Sequence, residues 1–341
     1  MINTVKRFAC LAMVAGLACG TLAAQVTKVG TTAAKFLSIP VGARALGMGG
    51  AFAGLADDAS AMYWNPGGLA RLVQSEAMFN HTEWLADIKF NYGNIVIPIP
   101  DVGVLGLGLT SMSMGEMERT TEDQPEGTGQ MFSTGSFAVG VSYARNLTDW
   151  FSIGFSGKYV HEWIWNSTAS GFAVDVGTLF STPFPGLKFG AAITNFGTKM
   201  RIGGDDLLVQ KDISSNNGNN PNLNANLTTD PFDLPLLLRI GVAYEPIADE
   251  DQRLVFVADA VHPNDNSESV SLGGEYTMFS RIFSVRAGYK ALGMRDAEEQ
   301  FTVGAGVRYT ILGMFAVKVD YAFERFGRLN NVHNFVVGVL F

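Results

Sequence analysis

The stretch FTVGAGVRYTILGMFAVKVDYAFE, residues 301–324, alternates between large apolar residues and small or polar ones over two consecutive runs. In the first run, the phase that starts at Phe301 is apolar, and the phase that starts at Thr302 carries glycine, threonine and arginine. In the second run, Phe315 starts the apolar phase and Ala316 the mixed one. A period of two is typical of a strand with two different faces, so the stretch predicts two strands joined by a near-direct turn.

The same alternation recurs along the chain and predicts about fourteen strands. Large aromatic residues on the apolar faces, with tyrosine or tryptophan near strand ends, resemble the girdles of outer-membrane barrels. The other faces mix glycine, alanine and isolated charges, which suits a filled lumen better than the solvent-exposed face of a soluble β-sandwich. The predicted strands are 75–83, 87–99, 102–114, 131–146, 150–164, 169–181, 186–196, 235–245, 253–262, 268–278, 281–291, 300–312, 313–325 and 331–341.

The connections between these strands alternate in length. Those after even-numbered strands are short, such as 100–101, whereas those after odd-numbered strands include the longest, 115–130 and 198–234. Bacterial barrels have short periplasmic turns, long outer loops and both termini on the periplasmic side. Because backbone groups in lipid must bond to one another, a strand protein there has to close on itself. We therefore predict an all-β protein, a 14-stranded antiparallel transmembrane β-barrel in an outer membrane of the Gram-negative type.

The first residues predict export. Lys6 and Arg7 precede an apolar run, and small residues ending at Ala24 suit cleavage, so residues 1–24 are interpreted as a cleaved signal peptide. Both cysteines, Cys10 and Cys19, lie in this leader, which leaves no thiol for disulfides or metal sites. No apolar run of 18 residues follows it, so helical membrane spans are excluded.

Residues 25–74 differ from the rest because they are glycine-rich and do not alternate. The part at 57–72, DDASAMYWNPGGLARL, predicts a helical turn that begins near Asp57 and Asp58, a break at Pro66, and a second turn. Strand side chains cannot fill a lumen of fourteen strands. Residues 25–74 are therefore predicted to form a hatch inside the lumen, and residues 75–341 the barrel.

The segment FLSIPVGARALGMGGAFAGLADDASAMYWNPGGLARL, residues 36–72, resembles the N-terminal signature of the PorV/PorQ family, which is related to the fatty-acid transporter FadL. The run from Asn65 to Leu69 resembles the hatch motif NPAGL, with Gly67 in place of alanine. The resemblance implies a hatch-plugged barrel of fourteen strands. It also implies a role in type IX secretion, in which outer loops bind secreted cargo and pass it to an attachment complex. Two alternatives stay open: FadL-like transport of hydrophobic small molecules, and a structural barrel.

Three groups of residues are candidates for a role. A terminal aromatic residue on an alternating strand resembles the signal that the barrel-assembly machinery recognises. We also expect the outer surface of the predicted barrel to contact outer-membrane lipid. The glycine-rich run at 47–54 lacks the lysine of a phosphate loop and the histidines form no zinc motif, so we expect no enzyme, cofactor, metal or nucleic-acid partner. The candidates are the hatch residues Arg44, Gly47, Gly49, Gly50, Asp57, Asp58, Asn65 and Pro66, the lumen charges Arg239, Arg286, Arg308, Lys318, Asp320 and Glu324, and the assembly signal Phe341.

Overall fold

The computed structural model describes residues 29–212, 222–294, 297, 299–311, 314–328 and 331–341, so the predicted signal peptide lies outside it. Fourteen long strands form the wall. They are β1 Glu76–Glu83, β2 Lys89–Ile99, β3 Gly103–Ser113, β4 Thr134–Asn146, β5 Phe151–Ile164, β6 Ser167–Ser181, β7 Leu187–Gly197, β8 Leu237–Ala248, β9 Arg253–Pro263, β10 Ser269–Met278, β11 Phe283–Leu292, β12 Glu299–Ile311, β13 Phe315–Phe326 and β14 Val332–Leu340.

Each strand pairs antiparallel with its neighbours, and β1 pairs with β14 to close the barrel. The predicted fold is confirmed, with small differences at strand ends. The largest correction is the predicted start of a strand at 131. Residues Met131–Phe132 instead pair with Met117–Glu118 in a separate hairpin, and β4 begins at Thr134. Among the described residues, no helix is long and apolar enough to cross a membrane.

The strands carry apolar side chains outward and small or polar ones inward. On β14, Phe335 and Val337 are exposed on the outer face, while Asn334 and Val336 are buried inside. The terminal Phe341 is also exposed, and its backbone exchanges two hydrogen bonds with Ser75 next to β1. Its role as an assembly signal stays a prediction. We call the end of the barrel with the short turns the inner end and the end with the long connections the outer end.

The segment before β1 folds into short helices, as the helix–break–helix pattern predicts. They are a 3₁₀ helix Lys35–Ser38, α1 Ala43–Gly47, α2 Ala61–Trp64 and a 3₁₀ helix Pro66–Arg71. α2 ends just before Asn65 because the residue that precedes a proline is driven out of the helical region. The N-cap of α2 is Ser60, and the Asp58 carboxylate accepts a hydrogen bond from its backbone N–H at 2.9 Å.

This segment lies inside the barrel against the inner faces of many strands. Val41, Ala45, Met48 and Phe52 are fully buried. A Cβ added at Gly47 would lie 3.1 Å from the backbone of Gly304 in β12; similar close contacts reach β6, β8 and β10 through the backbones of Gly177, Val242 and Leu272. The wall glycines therefore make room for the segment, which fills the middle of the lumen.

The segment starts at the outer end, which corrects the expectation that both termini lie on the periplasmic side. The Ala33 N–H donates to the backbone oxygen of Asp233, and the Lys35 ammonium lies 2.5 Å from the Asp265 carboxylate, both in outer connections. The junction to β1, by contrast, lies at the inner end beside Phe341. Because the segment crosses the lumen once before β1 begins, its first described residues have to lie opposite the C-terminus.

Candidate functional site

The centre of the lumen contains an arginine held by three carboxylates. Arg44, on α1, donates from Nε and one terminal nitrogen to the two carboxylate oxygens of Glu275, both at 2.8 Å. Its other terminal nitrogen donates to Asp57 at 2.6 Å and to Asp58 at 3.2 Å. A two-pronged contact of this kind fixes both partners in orientation as well as distance. The arginine therefore joins two parts of the N-terminal segment to β10.

Further charges of the wall extend this contact. Arg286 lies 2.7 Å from Glu275 and 2.6 Å from Asp320, while Arg253 lies 2.8 Å from Asp57. Glu275, Arg286 and Asp320 are buried, and Arg253 and Asp57 are only partly exposed, so each charge depends on its partners for compensation. We call the connected set the lumen network; it consists of Arg44, Asp57, Asp58, Glu76, Glu245, Arg253, Glu275, Arg286, Lys318 and Asp320.

The network keeps the two aspartates of the segment ionised. Burial by itself would raise the pKa of Asp57, but the nearby Arg44 and Arg253 outweigh burial and lower it well below the usual range. The pKa of Asp58 is lowered in the same way, against the cost of burial, by Lys318 and Arg44. The pKa of the Arg44 guanidinium rises despite burial because three carboxylates surround it. The segment is therefore held to the wall by full charges at neutral pH.

The other candidate hatch residues have packing roles. Gly49 has a φ of +72° and a Cβ there would lie 2.8 Å from the Leu272 oxygen, and Gly50 has a φ of +72° as well. The Asn65 amide donates to the backbone oxygens of Ala53 at 2.7 Å and Thr178 at 2.9 Å. Pro66 lies against the wall glycines. A share of these residues in binding or gating stays a prediction.

The predicted lumen charges do not all behave alike. Arg286, Lys318 and Asp320 belong to the lumen network, and Glu324 on β13 pairs with Lys290 on β11, across the intervening β12. Arg239 is buried and lies over the ring of Trp64, with its Cζ 4.8 Å from the ring centroid. Arg308 differs from the others because it is exposed at the inner mouth, near the inner end of β12. It still faces the lumen at that mouth, and its role as a lumen charge stays a prediction.

Sequence reasoning missed several wall residues that contact the segment. The Glu76 carboxylate accepts a hydrogen bond from the Ala59 N–H at 3.1 Å, and Arg253 lies 2.8 Å from Asp57. Asp259 accepts hydrogen bonds from the N–H groups of residues 52 and 53 at 2.9 and 2.8 Å. Each lies at an inward position of its strand. Strict counting of strand parity would have included them.

Two cavities remain on either side of the segment. The inner-mouth cavity, about 470 Å³, is lined by the lumen network together with Arg71, Arg281 and Arg308. The outer-mouth cavity, about 690 Å³, has apolar walls that include Phe36, Ile39 and Trp84. Among the described residues there is no cluster of histidine, cysteine, aspartate or glutamate that suits a metal ion.

Comparison with known proteins identifies the relatives of this architecture. The family model described as "Type IX secretion system protein PorV" matches residues 22–260. No curated protein sequence matches the chain significantly.

Solved structures share the fold at low sequence identity. The toluene transporter TodX of Pseudomonas putida is 14% identical, with a TM-score of 0.56, and the match covers 88% of this chain and 97% of TodX. The monoaromatic hydrocarbon channel CymD is 14% identical with a TM-score of 0.54 over 89% of this chain and 97% of CymD. A FadL homologue of Pseudomonas aeruginosa is 13% identical with a TM-score of 0.51 over 87% and 97% of the two chains. At such identities the likeness concerns the fold alone.

Proposed function

Because the chain belongs to the family of the type IX secretion system protein PorV, we propose that it binds secreted cargo, or a partner protein of that secretion route, through its extracellular loops. Family membership is the observation that carries this proposal. In this role the barrel is not the conduit. It is an outer-membrane protein whose binding surface lies outside the cell.

The filled lumen supports a surface role. A folded protein could not pass the N-terminal segment, which is fixed to the wall by the lumen network and by Asp259. Displacing it would leave several buried charges without partners, which costs several kcal/mol for each. Most of the described residues of the long connections, in contrast, are exposed or partly exposed at the outer end. We propose that residues 25–74 act as a permanent hatch and that the cleaved leader 1–24 sends the chain to the outer membrane.

The test is to purify the tagged barrel gently from its own outer membrane and to identify by mass spectrometry the proteins that accompany it. A barrel of unrelated function from the same membrane serves as the control. We expect secreted proteins with a shared C-terminal β-domain, or an attachment complex, in the first sample alone. If only lipid accompanies the barrel, the secretion role is refuted.

Transport of a hydrophobic small molecule is the second candidate, and the outer-mouth cavity favours it. Phe36, Ile39, Trp64 and Trp84 provide an apolar lining, as a ligand pocket requires. The charged centre of the lumen gives such a molecule no apolar path to the inner end. Uptake of a monoaromatic hydrocarbon by cells with and without the protein tests this candidate, and equal uptake would exclude it.

A further inference from the structure

The outward face of β6 marks where the lipid-facing band ends. Its outward positions from Phe172 to Phe180 are mostly large and apolar, whereas Ser170 and Thr168, nearer the outer end, are polar. The register with β5 sets Trp163 opposite Thr168, at the level where interfacial aromatic residues are expected. Residues of β5 and β6 beyond this level, from Ile164 to Ser167, therefore lie in water.

Two hairpins meet over this tip of β5 and β6. In the first, residues 115–132, the Arg119 guanidinium lies 4.9 Å from the centroid of the Trp165 ring. In the second, Leu208–Lys211 pairs with Leu223–Asn226. Just before it, the Asp206 carboxylate accepts hydrogen bonds from the Asn166 N–H and the Ser167 hydroxyl, both at 2.9 Å. We call the two hairpins and the tip, residues 115–132, 164–167, 203–212 and 222–227, the outer platform.

The outer platform exposes large apolar side chains although it stands outside the bilayer. The exposed fraction is 52% for Met131, 50% for Leu208 and 57% for Leu227, and Trp165 and Leu223 are also exposed. On the barrel wall such residues meet lipid, but in water a group of them marks a surface for a protein partner. Methionine and aromatic residues are enriched in interfaces of this kind.

The platform is also acidic, which specifies the partner. Its exposed carboxylates are Glu116, Glu118, Glu122, Asp123, Glu126, Asp205, Asp206 and Asp212, against the basic residues Arg119 and Lys211. Arg119 is already engaged by Trp165. Because opposite potentials steer proteins together and like potentials reject them, this surface selects a basic partner.

The second hairpin offers a free strand edge. The Leu227 N–H donates to the Leu207 oxygen, so these two residues form a hydrogen-bonded pair. In an antiparallel hairpin every second pair is hydrogen-bonded, so the backbone N–H and C=O groups of Asn224 and Asn226 point away from the paired strand. No described residue bonds to these groups. A free edge of this kind can accept a strand of another protein.

We propose that the outer platform docks a basic β-domain of a secreted protein, with the apolar residues at the contact, the carboxylates around it, and the edge at Asn224 and Asn226 available to a strand of that domain. This inference rests on the proposed function and names the surface and the partner chemistry for it.

The test measures binding of full-length barrel variants in detergent to one probe, a purified C-terminal β-domain from a secreted protein that accompanies the native barrel. The variant Glu122→Lys with Asp123→Lys should bind on the order of tenfold more weakly, mainly through a slower association rate that depends on salt. Met131→Asp should raise the dissociation rate instead. Asn224→Pro removes one edge N–H and should also weaken binding.

The matched control, Asp149→Lys with Glu250→Lys, makes the same change of charge in turns at the inner end. It should bind within about twofold of the wild type. A change in electrophoretic mobility after heating, which a folded barrel shows, is used to verify that each variant is folded. Equal binding by the wild type and all platform variants would overturn the platform while leaving the secretion role intact. An equal loss of binding in the platform variants and the control variant would also overturn the platform, because it would show that the attraction is non-specific. A wild-type barrel that does not bind the domain would refute the secretion role, and the platform with it.

Discussion

The replacement Arg44→Met tests whether the lumen network holds the N-terminal segment in place. Methionine keeps most of the length of the side chain but removes the hydrogen bonds to Glu275, Asp57 and Asp58. Removing one partner of a buried ion pair costs about 3–5 kcal/mol, because the remaining charges lose their compensation. Here Glu275 keeps Arg286 and Asp57 keeps Arg253, so we expect a loss near the lower limit, about 3 kcal/mol.

The assay is hydrogen exchange of the backbone amides of residues 43–64, read by mass spectrometry on the barrel in lipid. A loss of about 3 kcal/mol increases opening on the order of a hundredfold, while the wall strands should exchange as before. The control is Lys199→Met, which removes an ion pair to Asp233 with both side chains more than half exposed. It should cost at most about 1 kcal/mol. If Arg44→Met changes exchange no more than Lys199→Met does, the network does not hold the segment.

Three further predictions concern charge, packing and topology. Because the folded-state pKa of Asp57 is lowered, its stabilisation is fully present above about pH 5 and is lost as the pH falls through the folded value. Protection of the segment's amides, taken relative to the intrinsic exchange rate at each pH, should therefore decrease at acid pH; unchanged protection from neutral pH to about pH 3 would contradict this. Gly54→Ala places a Cβ 2.8 Å from the carbonyl carbon of Val242 and should sharply lower the yield of folded barrel, whereas Gly157→Ala, with nothing within 4 Å, should fold normally; equal yields would refute the close packing. A cysteine at Val29, which is exposed toward the outer end, should react with a membrane-impermeant maleimide on intact cells. A cysteine at Val73, which is exposed at the inner end, should react only after the outer membrane is opened. The reverse pattern would show that the segment enters from the other end.

The wall could be predicted from the sequence because its physics is local. Alternation at Phe315–Glu324 follows from lipid on one side and a filled lumen on the other, and every predicted strand reappears. The start of β4 was missed because Met131 looks like a strand residue, and only the pairing with Glu118 places it in a separate hairpin.

The contacts of the site could not be predicted in the same way, since they depend on distant parts of the chain. Arg44 could be singled out as a hatch residue, but which wall carboxylate it reaches depends on the register that brings Glu275 opposite Arg286. The exposure of Arg308 depends on how far β12 extends toward the inner mouth. No local pattern shows that the segment begins at the outer end.

Secretion by living cells tests the central claim most directly. A strain that lacks this chain should be compared with the same strain carrying the wild type or the Glu122→Lys, Asp123→Lys variant, and proteins with the shared C-terminal β-domain should be followed in the medium, at the cell surface and in the periplasm. We predict that without the chain these proteins accumulate in the periplasm or leave unattached, and that the wild type restores their surface attachment. Unchanged secretion and attachment without the chain, together with a loss of hydrophobic-molecule uptake, would contradict this and make the protein a transporter.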